Sequence, residues 1–289
     1  MPTSLSGTFS GHLTLPIIVC VEDRHFHIFW SPRDESNRSW IFRTDAFFEN
    51  DVLEIEWISK TPVLRPGVFG SFDSDGVSGS DVYIDRLGRT NLLYFGWQRL
   101  PCGSWINGIG HARGNLGGDL HRVHSGPLLA RDVHDQFSVA YPYLVHRDPR
   151  QILYSSYTKF NDPRLTDDYE YVVRRALWDE SDCSFSDRSN LELEKIPGVS
   201  AYSRPTMLQI GSENVVLCSV RGSQYSIRGW VIRGNKWIRA SEYDGDSLHD
   251  SNCMMATCYQ FPFVIDGSAY LLYNGDNYGL TGFGLAKWE

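Results

Sequence analysis

The chain has 289 residues, with 27 Lys+Arg against 35 Asp+Glu and a formal net charge of −8. An apolar fraction of 42% is that of a globular protein and excludes an intrinsically disordered chain. The acidic balance argues against a nucleic-acid surface, which needs a basic stripe to neutralise phosphate, and against docking to an anionic membrane.

This length fits one large domain or two smaller ones. Aromatic residues make up 13%, nine Trp among them, and the cations are mostly Arg. Rings and guanidinium groups together suit flat, hydroxyl-rich ligands. An aromatic-rich β protein also fills its sheets with Tyr, Phe and Trp, and composition alone favours that plainer reading.

From the N-terminus, Met1 to Cys20 carries no Lys or Arg, and Pro16 interrupts a short apolar run, which is not the layout of a signal peptide. No stretch approaches the ~20 apolar residues of a spanning helix. The expectation is a soluble, cytoplasmic protein. Cys20, Cys102, Cys183, Cys218, Cys253 and Cys258 form no CxxC pair, so no structural zinc is expected.

Further along, one pattern recurs: an alternating apolar run, a few small or aromatic residues, a polar turn, and a second alternating run. It begins at HIFWSPRDESNRSWIF from His27, then LLYFGWQRL from Leu92 with INGIGHARG, then ILYSSYTKF from Ile152 with YEYVVRRALW. VVLCSVRGSQYSIRGWVI from Val215 and YLLYNGDNYGLTGFGLA from Tyr270 follow. Aligning Phe29, Tyr94, Tyr154, Cys218 and Tyr273 gives steps of 65, 60, 64 and 55 residues. Upstream of each unit lies another run, four of them with an early proline at Pro16, Pro142, Pro205 and Pro262; SGSDVYI from Ser78 serves the second unit. Proline is disfavoured inside a ladder, so these mark strand starts or a sheet's inner edge.

Fourth strands are predicted at LEIEWIS (Leu53–Ser59), HRVHSGPLL (His121–Leu129), LELEKI (Leu191–Ile196) and WIRASE (Trp237–Glu242). The fifth unit lacks one, and Ser4–Leu13 is available to supply it. The prediction is an all-β chain, one five-bladed β-propeller over residues 1–289 with four-stranded antiparallel blades. The blades fall at about 14–60, 78–130, 138–197, 201–243 and 257–289, the N-terminal strand 4–13 completing the last. Closure of this kind removes an unpaired edge.

The stretches FWSPRDESNRS (Phe29–Ser39), PVLRPGVFGSFDSDGV (Pro62–Val77), YSRPTML (Tyr202–Leu208) and YLLYNGDNYGLTGFGLA (Tyr270–Ala286) carry a resemblance. Over nearly the full chain the sequence resembles bacterial five-bladed propellers of the glycoside hydrolase family 43 and family 32 superfamily, in a largely uncharacterised subgroup. The resemblance implies one polar pocket at the end of the axis and a sugar or glycoconjugate as ligand.

Glycoside hydrolysis needs two carboxyl groups across the scissile bond. In the resembled superfamily an Asp stands on the first inner strand, a second Asp follows, and a Glu is the acid. Here LTLPIIV (Leu13–Val19) and VAYPYLV (Val139–Val145) carry no carboxylate. The acid/base candidates are therefore Glu170, Asp73 and Asp250, against plainer readings as a solvated strand end, an Asx-turn and a loop acid. Substrate-binding candidates, taken from matching repeat positions, are Arg33, Asp34, Trp97, Tyr141, Arg204, Arg221, Asn274 and Asn277. Trp97 is the stacking platform. Arg204 with Arg221 suggests an acidic group on the ligand, or pairing with carboxylates of neighbouring blades.

His25 and His27 share a strand face but have no evident third ligand, so no metal is assigned. No GxGxxG, Walker or GxSxG pattern occurs, so no cofactor is expected. Three functions remain open: a glycosidase-like enzyme, a non-hydrolytic tailoring or cyclising enzyme on the same scaffold, and a non-catalytic glycan-binding propeller.

Overall fold

Short alternating runs broken by Gly-, Asp- and Asn-rich turns build strand after strand. The structure, a computed structural model, describes residues 9–101, 103–147, 149–159, 169–222, 224–247, 258–275, 279–280 and 282–288. β1 (Phe9–Glu22), β2 (His25–Asp34), β3 (Phe42–Glu49) and β4 (Val52–Ile58) form one antiparallel sheet. β5 (Gly76–Ile84), β6 (Arg89–Arg99), β7 (Trp105–Asn115) and the two-residue β8 (His121–Arg122) form the next.

β9 (Val139–Arg147), β10 (Arg150–Lys159), β11 (Glu170–Asp179) and β12 (Ser184–Asn190) run antiparallel in turn, as do β13 (Ala201–Ile210), β14 (Glu213–Arg221), β15 (Tyr225–Arg233) and β16 (Lys236–Arg239). One parallel bridge, Tyr171 to Ala201, joins the ladders of these two groups. β17 (Cys258–Ile265), β18 (Ser268–Asn274) and β19 (Phe283–Lys287) make the last sheet.

Burial grades across each sheet. β2, β6, β14 and β18 are buried along most of their length, covered on both faces, whereas β4 is mostly exposed. Continuous apolar runs therefore mark second strands, and polar runs mark outer edges.

Three expectations are corrected at the edges. Phe9 and Ser10 pair with Asp34 and Arg33 of β2, so residues 9–13 continue β1 instead of adding to the last sheet; residues 4–8 lie outside the described residues. In the third group the outer strand is SFSDRSN at Ser184–Asn190, not LELEKI. Leu193 instead bridges to Trp237 of the neighbouring outer strand, and the polar SFSDRSN lacks the alternation that would have revealed it. The predicted run from His121 to Leu129 pairs as a strand only at His121 and Arg122, and past Gly126-Pro127 the chain returns as a bridge from Leu129 to Ile109.

The inner strands share an irregularity. Leu15-Pro16, Tyr141-Pro142, Arg204-Pro205 and Tyr259-Gln260 each set two residues opposite one, namely Trp30, Tyr154, Cys218 and Tyr273. Ser80 is the extra residue in β5, beside the Gly79–Tyr94 pair. Trp30, not Phe29, is thus the true counterpart in the repeat. A bulge removes the local ladder bond, so proline costs nothing there. Leu15, Tyr141, Arg204 and Tyr259 have φ of 57°, 56°, 48° and 56°, a left-handed backbone unusual for such side chains.

Buried carboxylates brace individual sheets, and rings and ion pairs join the last sheet to the first. Asp73 is buried; its carboxylate accepts from Tyr94 Oη at 3.0 Å and Arg122 Nε at 2.8 Å. Asp135 repeats the arrangement with Tyr154 at 3.0 Å and Arg174 at 2.9 Å. The last sheet packs on the first through Phe263 on Phe26 and Tyr270 on Phe48, with ring centres 5.8 and 5.0 Å apart. Arg24 with Asp266, and Lys287 with Asp51, rim this contact.

Buried His111 supplies a pH dependence. Arg113 Nε donates to Asn91 Oδ1, so His111 Nε2, 3.0 Å from that oxygen, is the donor of its neutral imidazole. Burial, then Arg113, lowers its pKa from 6.5 to about 4. The unfolded chain takes up this proton near pH 6.5 and the folded chain does not. The contribution is therefore complete above pH 6.5 and is lost as pH falls towards 4, by about 3 kcal/mol. Urea midpoints measured between these limits should fall more steeply for the native protein than for His111→Asn.

Candidate functional site

In an antiparallel sheet the start of strand one, the end of strand two and the start of strand three lie at one edge. Here that edge gathers Leu15, Tyr141 and Tyr259 from inner strands. From second strands come Arg33, Phe95, Trp97, Tyr157 and Arg221, and Tyr171 and Tyr225 open the third strands behind Tyr169.

The rings make one cluster. Phe95 lies 4.7 Å from Tyr141, which stacks on Tyr259 at 5.9 Å and 25°. Tyr225 meets Tyr259 at 6.3 Å, and Tyr157 meets Tyr171 at 4.2 Å. The Arg221 guanidinium lies 6.0 Å from the Tyr169 ring centre. Arg33 donates to Asn37 Oδ1 at 3.0 Å and lies 5.3 Å from the Trp97 ring centre.

Burial pushes the phenols of Tyr141, Tyr157, Tyr171 and Tyr259 up, so all four remain protonated hydroxyls at neutral pH. The titratable groups that surround them are other tyrosines and Cys258, with Arg33, Arg204 and Arg221 as the cations. The same burial lowers the pKa of Arg33, opposed by Tyr259 and Tyr141. Phe95, Tyr157, Tyr169 and Tyr171 are buried and form the floor, whereas Tyr141, Tyr225, Tyr259, Arg33 and Arg221 are partly exposed. These five offer ring faces, hydroxyls and guanidinium donors, the groups that pair with a polyol or an oxyanion.

Of the residues expected from sequence, Arg33, Trp97, Tyr141 and Arg221 come together at this edge. Trp97 and the remaining candidates do not serve it as expected. Trp97 is only 7% exposed, donates to Ser39 Oγ at 2.8 Å, and has Arg33 and Arg99 within 5.3 and 5.6 Å of its ring centre, so it offers no open stacking face. Asp34 closes its own turn, accepting at 2.9 Å from Arg38 N, Arg38 Nε and Trp40 Nε1, which holds its pKa below the usual value. Asp73 is held inside the second sheet by Tyr94 and Arg122.

Arg204 lies beneath the tyrosines rather than among them. It donates to Gln260 O at 2.9 Å, Pro16 O at 3.0 Å and Gly79 O at 3.5 Å, carbonyls of three other inner strands. Burial lowers its pKa to about 10, so it is a cation at neutral pH. Asn274 accepts from Leu15 N at 2.9 Å and donates to Leu13 O at 3.2 Å, tying the last sheet to the first. Glu170 is 48% exposed, 3.8 Å from Lys159, and alternates away from the buried Tyr169 and Tyr171. Asp250 and Asn277 lie outside the described residues.

The sequence reading does not single out Tyr157, Tyr169, Tyr171 and Tyr225. The signal is present: each stands at a second-strand end or near a third-strand start, level with Arg33, Trp97 and Arg221. Composition favours packing for aromatic residues in general, and these four carry no other mark.

No protein-family model matches the chain. It is 31% identical over 293 aligned residues to the uncharacterized protein Rv1502 of Mycobacterium tuberculosis, across 96% of this chain and 93% of that protein. The chain belongs to this family. Among solved structures, a thermostable family-43 glycoside hydrolase superposes with a TM-score of 0.69 at 12% identity, covering 99% of this chain and 91% of the other. An alpha-L-arabinofuranosidase from Lactobacillus brevis gives 0.68 at 10% identity, covering 99% and 92%. The Bombyx mori GH32 beta-fructofuranosidase gives 0.58 at 13% identity, covering 92% of this chain and 57% of that one. The fold is therefore the β-propeller of glycoside hydrolase families 43 and 32, as the sequence resemblance implied. No helix among the described residues is long and apolar enough to cross a membrane.

Proposed function

We propose that this protein is a five-bladed propeller that takes a sugar or glycoconjugate, bearing an acidic group, at the tyrosine- and arginine-lined edge of its inner strands. The repeated inner-strand bulge supports the blade count, and the packing of Phe263 and Tyr270 on the first sheet supports a closed ring. One observation carries the ligand: ring faces and two guanidinium groups meet at a single edge, in a fold shared with sugar-processing enzymes.

Non-hydrolytic action, by tailoring, cyclisation or binding alone, is favoured over hydrolysis by the carboxylates. Among the described candidates, Asp34 and Asp73 are engaged within the fold, and Glu170 faces solvent beside Lys159. Paired carboxyl groups across a scissile bond are what hydrolysis needs.

Calorimetric titration with neutral and uronate-containing oligosaccharides tests the reading. The acidic sugars should bind, and Arg221→Ala should weaken them by about tenfold or more, the worth of one charge-assisted hydrogen bond. No binding of either class to the native protein overturns it. Product analysis on the same sugars separates the two modes of action: turnover abolished by Glu170→Gln restores the hydrolytic reading.

A further inference from the structure

Away from that edge, the second and third sheets leave a groove of about 840 Å³, lined chiefly from β6, β7, β10, β11 and the turns beside them. Arg89, Arg113, Arg150, His124, Trp178 and Glu180 are among its lining residues. At its border, the β11–β12 turn holds Cys183 with φ of 58°. Cys183 Sγ lies 3.5 Å from Nε2 and 3.8 Å from Nδ1 of His124, a residue of the neighbouring sheet's outer segment. A partly exposed thiol beside an imidazole has a base to receive its proton.

A second observation is independent of that pair. Trp178 is 4% exposed, and its indole N–H has no hydrogen-bond partner; Arg150 Nε is likewise buried without one. Buried donors left unpaired call for an acceptor from outside the chain. Indole and guanidinium groups only donate, so the group they take is an acceptor, and a carboxylate suits a groove lined by three arginines. The groove already accommodates such a group: the Glu180 carboxylate sits between Arg113 and Arg150.

We propose that Cys183 is a thiol-modification site that forms a mixed disulfide with small disulfides bearing carboxylate groups, which the groove's arginines and Trp178 hold. Cys183 gives its proton to His124, and the thiolate attacks one sulfur of the disulfide. One S–S bond forms and one breaks. Cys183 is oxidised, half of the disulfide is reduced, and the departing thiolate takes the proton from His124.

The remaining described cysteines are poor competitors. Cys218 and Cys258 are buried, and burial raises the Cys258 thiol to about 12. Cys20 is more exposed than Cys183, yet partial burial and Asp23 raise its pKa. Reactivity should therefore not follow exposure.

The test treats the native, folded protein with glutathione disulfide or with cystamine, a cationic disulfide, and follows adducts by peptide mass mapping. Cys183 should gain one glutathione at least about tenfold faster than Cys20, and glutathione disulfide should outrun cystamine at Cys183 but not at Cys20. In His124→Asn the Cys183 rate should fall towards that of Cys20. Labelling of Cys183 no faster than Cys20 in the native protein overturns the proposal, as does a preference of Cys183 for cystamine or an unchanged rate in His124→Asn.

Discussion

Replacing Arg204 with alanine should remove about 3–5 kcal/mol of folding stability, read from urea unfolding curves. Its guanidinium donates to carbonyls of Pro16, Gly79 and Gln260. Without it three buried acceptors lose a donor, at about 1–3 kcal/mol each, partly offset because a cation need no longer be desolvated. Arg204→Lys should recover only part of the loss, since one ammonium on a flexible stem cannot reproduce the planar fork. Arg204→Gly provides an internal check. With φ at 48°, the backbone is left-handed, and glycine relieves about 1 kcal/mol of strain that alanine keeps. Glycine should therefore be the milder substitution, the reverse of the usual order within a strand. An Arg204→Ala protein as stable as the native one would remove Arg204 from this role.

Asp73→Asn should cost about 2–3 kcal/mol, at the lower end for a broken buried pair because Arg122 is partly exposed. Asparagine can still accept from Tyr94 but leaves Arg122 without its counter-charge. A ligand-facing carboxylate behaves oppositely, since its removal impairs function while leaving stability unchanged or improved. Thermal unfolding of Asp73→Asn, Arg122→Ala and the double variant separates the cases. A coupling above about 1 kcal/mol is expected between partners in one network. Additive effects, or an unperturbed midpoint for Asp73→Asn, would return Asp73 to the list of catalytic candidates.

The sequence already carried most of the sheet order, because second strands covered on both faces must be continuously apolar. LLYFGW and VVLCSV have no other stable use in a chain with so few long helical periods. Edge strands were harder. SFSDRSN is solvated, and only pairing to β11 makes it a strand, whereas LELEKI alternates well and yet reaches across to the next outer strand. The inner-strand edge is legible as a set of equivalent positions, and Arg33, Tyr141 and Arg221 follow from them. What repeat position cannot supply is direction. Arg204 and Asn274 occupy suitable positions, but their polar atoms are engaged by backbone of other sheets. Asp73 and Asp135 stand before consecutive inner strands, each bound to a second-strand tyrosine and an arginine. That recurrence is a mark of architecture rather than chemistry, and it becomes visible only when the partners are known.

The clamp formed by Asn274 has a temporal side. It joins residues 259 positions apart through Leu15 N and 261 apart through Leu13 O. Contacts of such separation carry the largest loop-closure cost and form late. During synthesis the earlier sheets emerge well before Asn274, so the apolar face around Phe26 and Phe48 waits without the cover of Phe263 and Tyr270. The nascent chain therefore passes through a long interval with one sticky face open. Aggregation, rather than slow chemistry, is the hazard this topology creates for its own production.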